Sequence, residues 1–80
     1  MRLDKYLKTV RIIKRRTVAK EACDQGKVTI NGKVAKAGDN VSVGDRITLS
    51  FGSGQMNIEV VQVKDNAKKD EAHELYKSLD

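Results

Sequence analysis

Residues 2–32, RLDKYLKTVRIIKRRTVAKEACDQGKVTING, decide how this chain folds. Leu3, Tyr6, Leu7 and Val10 fall at i, i+3, i+4 and i+7, which predicts an amphipathic helix over residues 2–10. Arg2, Lys5 and Lys8 lie off that stripe at intervals of three. Asp4, near the helix start, reads first as a carboxylate favouring the positive end of the helix dipole, and second as an orienter of a neighbouring base. A basic connector follows, Arg11-Ile-Ile-Lys-Arg-Arg16. Its β-branched Ile12 and Ile13 need burial, and anchoring either one turns Arg11, Lys14, Arg15 and Arg16 outward. Thr17 is the predicted N-cap of a second helix with Val18, Ala19, Ala22 and Cys23 on its inner face. The formal capping box fails, because position 20 is Lys and the glutamate comes one residue late at Glu21. Gly26 should end that helix in the left-handed conformation. Asn31-Gly32 then joins Val28–Ile30 to Lys33–Val34 as a hairpin.

Outward from this stretch the pattern is mainly that of strands. A loop over 36–40 leads to the alternating Val41 and Val43, a Gly44-Asp45 turn, and a half-buried strand bearing Ile47, Leu49 and Phe51. After a Gly52-Ser53-Gly54 turn, residues 57–63 form another strand. Its apolar phase shifts from Ile58 and Val60 to Val61 and Val63, which predicts a bulge or a strand covered on both faces. Ala72, Leu75, Tyr76 and Leu79 repeat the helical spacing, giving a C-terminal helix over about 66–79 with Asp65 or Asn66 as its cap. The expected architecture is α+β: two N-terminal helices packed on a small twisted, mostly antiparallel sheet, plus a C-terminal helix. All of it forms one domain over residues 1–80, with the core motif in 2–51.

Composition narrows the function. Eighty residues make a small domain with a thin core, yet 39% hydrophobic residues are too many for a disordered tail. The longest apolar runs are pairs such as Ile12-Ile13 and Val60-Val61, which excludes a membrane-spanning helix or the apolar segment of a signal peptide. One cysteine, Cys23, permits no internal disulfide, and its neighbourhood makes it a small core residue of a cytoplasmic protein. The net charge of +5 is one-sided: residues 1–20 carry eight bases against Asp4 alone, and the remaining sixty carry eight bases against ten acids. Such asymmetry is the footprint of a polyanion-binding surface.

Catalysis is not expected. The single histidine, His73, sits among acidic residues, no serine or cysteine has a base at a recognisable spacing, and no Cys/His cluster could hold a metal. Gly52-Ser53-Gly54-Gln55 lacks the Lys-Ser/Thr of a phosphate loop. The expectation is therefore a binding protein with no cofactor and no metal. Its three aromatics, Tyr6, Phe51 and Tyr76, all fall on core stripes. That leaves no platform for splayed bases and points to structured RNA held through phosphates and shape. A DNA-reading helix-turn-helix fits less well, since the connector is longer than the usual turn and the second helix would present Glu21 and Asp24 to the groove.

RLDKYL, the basic connector and RTVAKEACDQGKVTINGK together resemble the αL RNA-binding domain first seen in ribosomal small-subunit protein four. The resemblance covers residues 2–51. Among stand-alone versions the chain is similar to the ribosome-associated heat-shock protein fifteen family, in particular its short Gram-positive branch of ribosome-associated quality-control proteins. DEAHELYKS at 70–78 resembles that family's short C-terminal helix, whereas the basic tail of the longer members has no counterpart here. The resemblance implies binding to 23S rRNA and peptidyl-tRNA on an obstructed large ribosomal subunit, holding the tRNA for an alanine-tailing partner; the chain itself is expected to be a monomer. The resemblance places phosphate contacts on Arg2, Lys5, Arg11, Arg15 and Arg16, with Lys14, Thr17 and Lys20 completing the set. A general RNA chaperone or ribosome-assembly binder is the alternative, and an adaptor working through its last helix is a third reading.

Overall fold

In a computed structural model covering residues 1–80, the Leu3-Tyr6-Leu7-Val10 stripe forms the buried side of helix α1 (Leu3–Thr9). No side chain caps this helix. Its free N–H groups are met instead by the loop after the first hairpin: Leu3 donates to the Asp39 carbonyl at 2.9 Å and Asp4 to the Ala37 carbonyl at 3.1 Å. The Asp4 carboxylate accepts from the Lys5 N–H at 2.8 Å. The loop at 36–40 thereby fixes where α1 begins.

Helix α2 (Arg16–Asp24) starts two residues earlier than expected. Arg15 occupies the capping position without a side-chain bond, and Thr17 lies exposed in the first turn rather than capping it. Ala19 and Cys23 face the core, Ala22 is half-buried, and Val18 is 46% exposed, turned to the flank of the helix instead of its inner face. At the other end Gly26, at φ +73°, closes a Schellman motif: Lys27 N–H donates to Ala22 and Gly26 N–H to Cys23, both at 3.0 Å. Burial, reinforced by the negative charges of Asp4, Asp24 and Asp39, pushes the Cys23 thiol up to about 11, so it stays protonated as a small core residue.

Five strands follow: β1 (Val28–Ile30), β2 (Lys33–Val34), β3 (Arg46–Phe51), β4 (Gly54–Val60) and β5 (Tyr76–Ser78). Their order is β2-β1-β3-β4-β5 and every pairing is antiparallel. Asn31 and Gly32, both at positive φ, make the expected tight turn. The register sets Ile30 opposite Ile47 and Ile47 opposite Ile58, a cross-strand row of apolar residues. Against it pack Leu3, Tyr6 and Leu7 from α1 and Ala19 and Cys23 from α2, in one cluster with Val28, Leu49 and Val60. Val41 is buried and Val43 exposed, but no strand forms there beyond an isolated pairing of Arg2 with Asn40.

The C-terminal helix does not form. Residues 72–74 make a single 3₁₀ turn and Tyr76–Ser78 become β5, pairing Val60 with Tyr76 and Ile58 with Ser78. A 3₁₀ turn repeats every three residues, so it buries Ala72 and Leu75 as well as a helix would. The chain beyond it then supplies hydrogen bonds to the open edge of β4, which a short helix with a highly charged first half could not. The apolar phase change after Val60 has the same origin: β4 ends at Val60, Val61 is exposed, and there is neither a bulge nor a doubly covered strand. Phe51 also departs from expectation. It follows buried Ile47 and Leu49 on the same alternation yet remains 54% exposed.

The Leu75 carbonyl ties this segment to the rest. It accepts from Val61 N–H at 2.9 Å, Gln62 N–H at 3.1 Å and the buried Tyr6 hydroxyl at 2.9 Å. Replacing Tyr6 by Phe removes one donor but leaves that carbonyl two others, so no acceptor is orphaned. The expected cost is at the low end for a hydrogen bond, about 0.5–1 kcal/mol, read as a lower urea midpoint with unchanged slope.

Candidate nucleic-acid interface

The organising group of the basic face is the acid within it. Asp4 is 3% exposed, the one charged residue in the core. Its carboxylate accepts from Arg2 Nε at 3.2 Å and Arg2 Nη2 at 3.3 Å, and it lies 3.2 Å from Arg16 Nε. Burial disfavours its charged form, but the bonds from Arg2, Arg16 and the Lys5 N–H outweigh that and hold its pKa below the ordinary aspartate value. The carboxylate therefore stays ionised and links the residue before α1, α1 itself and the first turn of α2. Both arginine side chains are about half exposed, 54% for Arg2 and 45% for Arg16. Asp4 engages Arg16 through Nε, leaving its terminal Nη donors free for phosphate oxygens.

The eight residues singled out from the sequence are not all brought together. Arg2 and Arg16 converge on Asp4, and Arg2 and Lys20 line one groove of about 500 Å³ together with Lys36 and Asp24. Arg11, Lys14 and Arg15 are exposed on the connector without acidic partners, as is Lys20 on α2. Ile12 and Ile13 are half-buried against the core, which is what turns the connector's cations outward. Lys5 departs from the group: its Nζ reaches Asp65 at 3.5 Å, an exposed pair of little energetic weight. Thr17 sits in the first turn of α2 beside Arg16, with its hydroxyl making no capping bond.

Two features go beyond the sequence pattern. Asp4, whose second reading is as an orienter of one neighbouring base, is buried and holds two arginines, Arg2 and Arg16. The other is Lys36, brought beside Arg2 by the loop that caps α1. Arg11 adds a third observation, a φ of +62° just past the end of α1, where glycine or asparagine is usual.

A family model described as the S4 domain matches residues 1–47. The chain belongs to the S4-domain family. A Halalkalibacterium halodurans protein named RQC P-site tRNA stabilizing factor is 53% identical over 95% of this chain and 86% of its own length. A Bacillus subtilis protein of the same name is 51% identical over 99% of this chain and 92% of its own. Among solved structures, Vibrio cholerae Heat Shock Protein 15, described as trimeric, matches with a TM-score of 0.90 at 35% identity, over 98% of this chain and 80% of that one. The resemblance read from RLDKYL and the connector is thus shown for this S4 domain, and so is the α+β arrangement of two helices on an antiparallel sheet.

Asp4 separates geometry from charge. Asp4→Asn raises the net charge by one, which would strengthen a purely electrostatic grip, yet it frees both guanidinium groups from their fixed orientation. The expected result is weaker binding of structured RNA, by about tenfold for the loss of one well-placed charged hydrogen bond, measured by fluorescence anisotropy. Folding should lose about 1–3 kcal/mol. Because the folded pKa is depressed, Asp4 contributes its full stability above the unfolded value of about 3.9 and loses it as pH falls through the folded value. The difference between the two proteins in chemical denaturation should then be constant from pH 8 to 5 and shrink below about pH 4.

Arg11 gives the opposite trade. Arg11→Gly relieves a left-handed conformation worth about 1–2 kcal/mol against a glycine entropy cost of about 0.5–1 kcal/mol. The variant should melt slightly higher while binding RNA more weakly, as seen by calorimetry beside anisotropy.

Proposed function

We propose that this chain is an RNA-binding factor of ribosome-associated quality control. It binds 23S rRNA and peptidyl-tRNA on large ribosomal subunits left obstructed when a stalled ribosome splits, and it supports alanine tailing of the stalled nascent chain by a partner factor. The observation that carries this reading is the pair of guanidinium groups, Arg2 and Arg16, held half exposed by one buried carboxylate at the head of two packed helices. Relatives about half identical along nearly the whole chain are named for stabilising P-site tRNA in that process, which supports the same assignment. The work is recognition of phosphates and backbone shape rather than catalysis. Arg2 and Arg16 meet at Asp4, Arg2 and Lys20 line one groove beside α2, and Arg11, Lys14 and Arg15 extend the charge along the connector. No cofactor enters this reading.

If about five phosphates are neutralised, affinity for the RNA should fall roughly 10²–10³-fold between 50 and 200 mM salt. Arg16→Ala should weaken binding and lower the slope of that dependence by about one, and it should also lower the thermal midpoint, because it takes a donor from the buried Asp4 carboxylate. A flat salt response removes the RNA reading. In cells, tagged protein sedimented on a sucrose gradient should concentrate on large subunits that carry peptidyl-tRNA. An even spread over free RNA and precursor particles would instead favour a general RNA chaperone.

A further inference from the structure

The structure leaves one aromatic ring without a core position. Phe51 is the last residue of β3, and the register sets it opposite Gly54, so no cross-strand side chain covers it. It lines an apolar pocket of about 270 Å³ with Val18 from α2 and Ile13 from the connector. The two large apolar residues left open on this side, Val18 at 46% and Phe51 at 54%, are therefore walls of one depression rather than scattered exposures.

Charge around the pocket says what fits it. Ile13 is followed at once by Lys14 and Arg15, both exposed, whose backbone lies within about 7 Å of chain from Ile13. Lys27 also lines the pocket, against one acid, Glu21. Gln25 and Ser50 supply side-chain donors and acceptors at its walls. A cationic approach, an open aromatic ring and two hydrogen-bonding groups suit a nucleotide. The volume lies at the lower limit of small-molecule sites, about 300–1,000 Å³, which suits one base and is too small for the face of a partner helix.

We infer that this pocket takes a single unpaired base of the bound RNA, stacked on Phe51, while Lys14 and Arg15 hold its flanking phosphates. The inference rests on the RNA-binding reading above and adds to it a base-contacting subsite. It lies on the Val18 flank of α2, whereas Arg2 and Lys20 line the groove on the other side. Stacking on an aromatic ring accepts every base, so the subsite would add affinity without reading sequence.

The test compares two probes with equal numbers of phosphates: octaadenylate RNA and an octamer of the same backbone lacking bases. Wild-type protein should bind octaadenylate about tenfold more tightly, with the same salt slope for both probes. Phe51→Leu, which keeps an apolar residue at an exposed site, should erase that preference without altering the slope, and Phe51→Tyr should retain it. Equal affinity of the wild type for both probes, with a steep salt slope, would overturn the base subsite and leave the phosphate-binding reading standing. No salt-dependent binding of either probe would overturn both. Self-association abolished by Phe51→Leu in sedimentation equilibrium, with no base preference, would assign the pocket to a second copy of the chain instead.

Discussion

A carboxylate withdrawn from water cannot stay ionised unless several donors converge on it, and in this chain that requirement fixes how the two N-terminal helices meet. Asp4 meets it with Arg2 from the residue before α1, Arg16 from the first residue of α2, and the N–H of its own neighbour. The consequence is local and geometric. Moving α2 by a few ångströms would leave a nearly buried negative charge short of a partner, a larger penalty than the ion pairs contribute when made. The same bonds place two cationic forks at a fixed spacing on the surface. The three side chains that fix the helix contact therefore also set the geometry of the exposed cations.

Much of this was legible in the sequence, and the parts that were not have identifiable causes. The α1 stripe, the Gly26 stop, the Asn31-Gly32 turn and the Ile47-Leu49 alternation are local signals, and each appears where its spacing predicts. The eight candidates of the basic face, seven cations and Thr17, follow from the family resemblance and the clustered charge, neither of which sorts them by position. Only the fold shows that Arg2 and Arg16 share Asp4, while Lys5 reaches Asp65, sixty residues away. Thr17 misled because a capping residue is recognised by type, whereas the start of α2 follows from where Arg16 must stand to reach Asp4. Phe51 misled because alternation reports which face of a strand a residue occupies and not whether anything lies above it.

The C-terminal segment shows a further limit of periodicity. Ala72 and Leu75 satisfy a helix and a 3₁₀ turn equally, and nothing within residues 66–79 says that the edge of β4 is open. The choice is made by hydrogen bonds elsewhere. Leu75 accepts from Tyr6, Val61 and Gln62, and the Asp80 carboxylate accepts from the Asn57 N–H at 3.0 Å and its side-chain amide at 2.8 Å, which lowers the Asp80 pKa. Once those partners fix both ends of the segment, an extended strand between them leaves fewer backbone groups unpaired than a helix lying over the sheet.

A domain of this size has little stability to spare, roughly 0.05–0.15 kcal/mol per residue, and clustering eight bases at one end works against it. The fold answers by using some of these cations as structural members and by isolating the others. Arg2 and Arg16 lose their mutual repulsion through Asp4. Arg11, Lys14 and Arg15 are carried on a connector whose own Ile12 and Ile13 anchor it, so that their repulsion acts on a segment already held by apolar contacts. Arg11 bears the clearest mark of this division, keeping a side chain in a left-handed position that glycine would occupy at less cost. The strain is retained at a position where the core gains nothing from the side chain, so folding alone does not account for an arginine there.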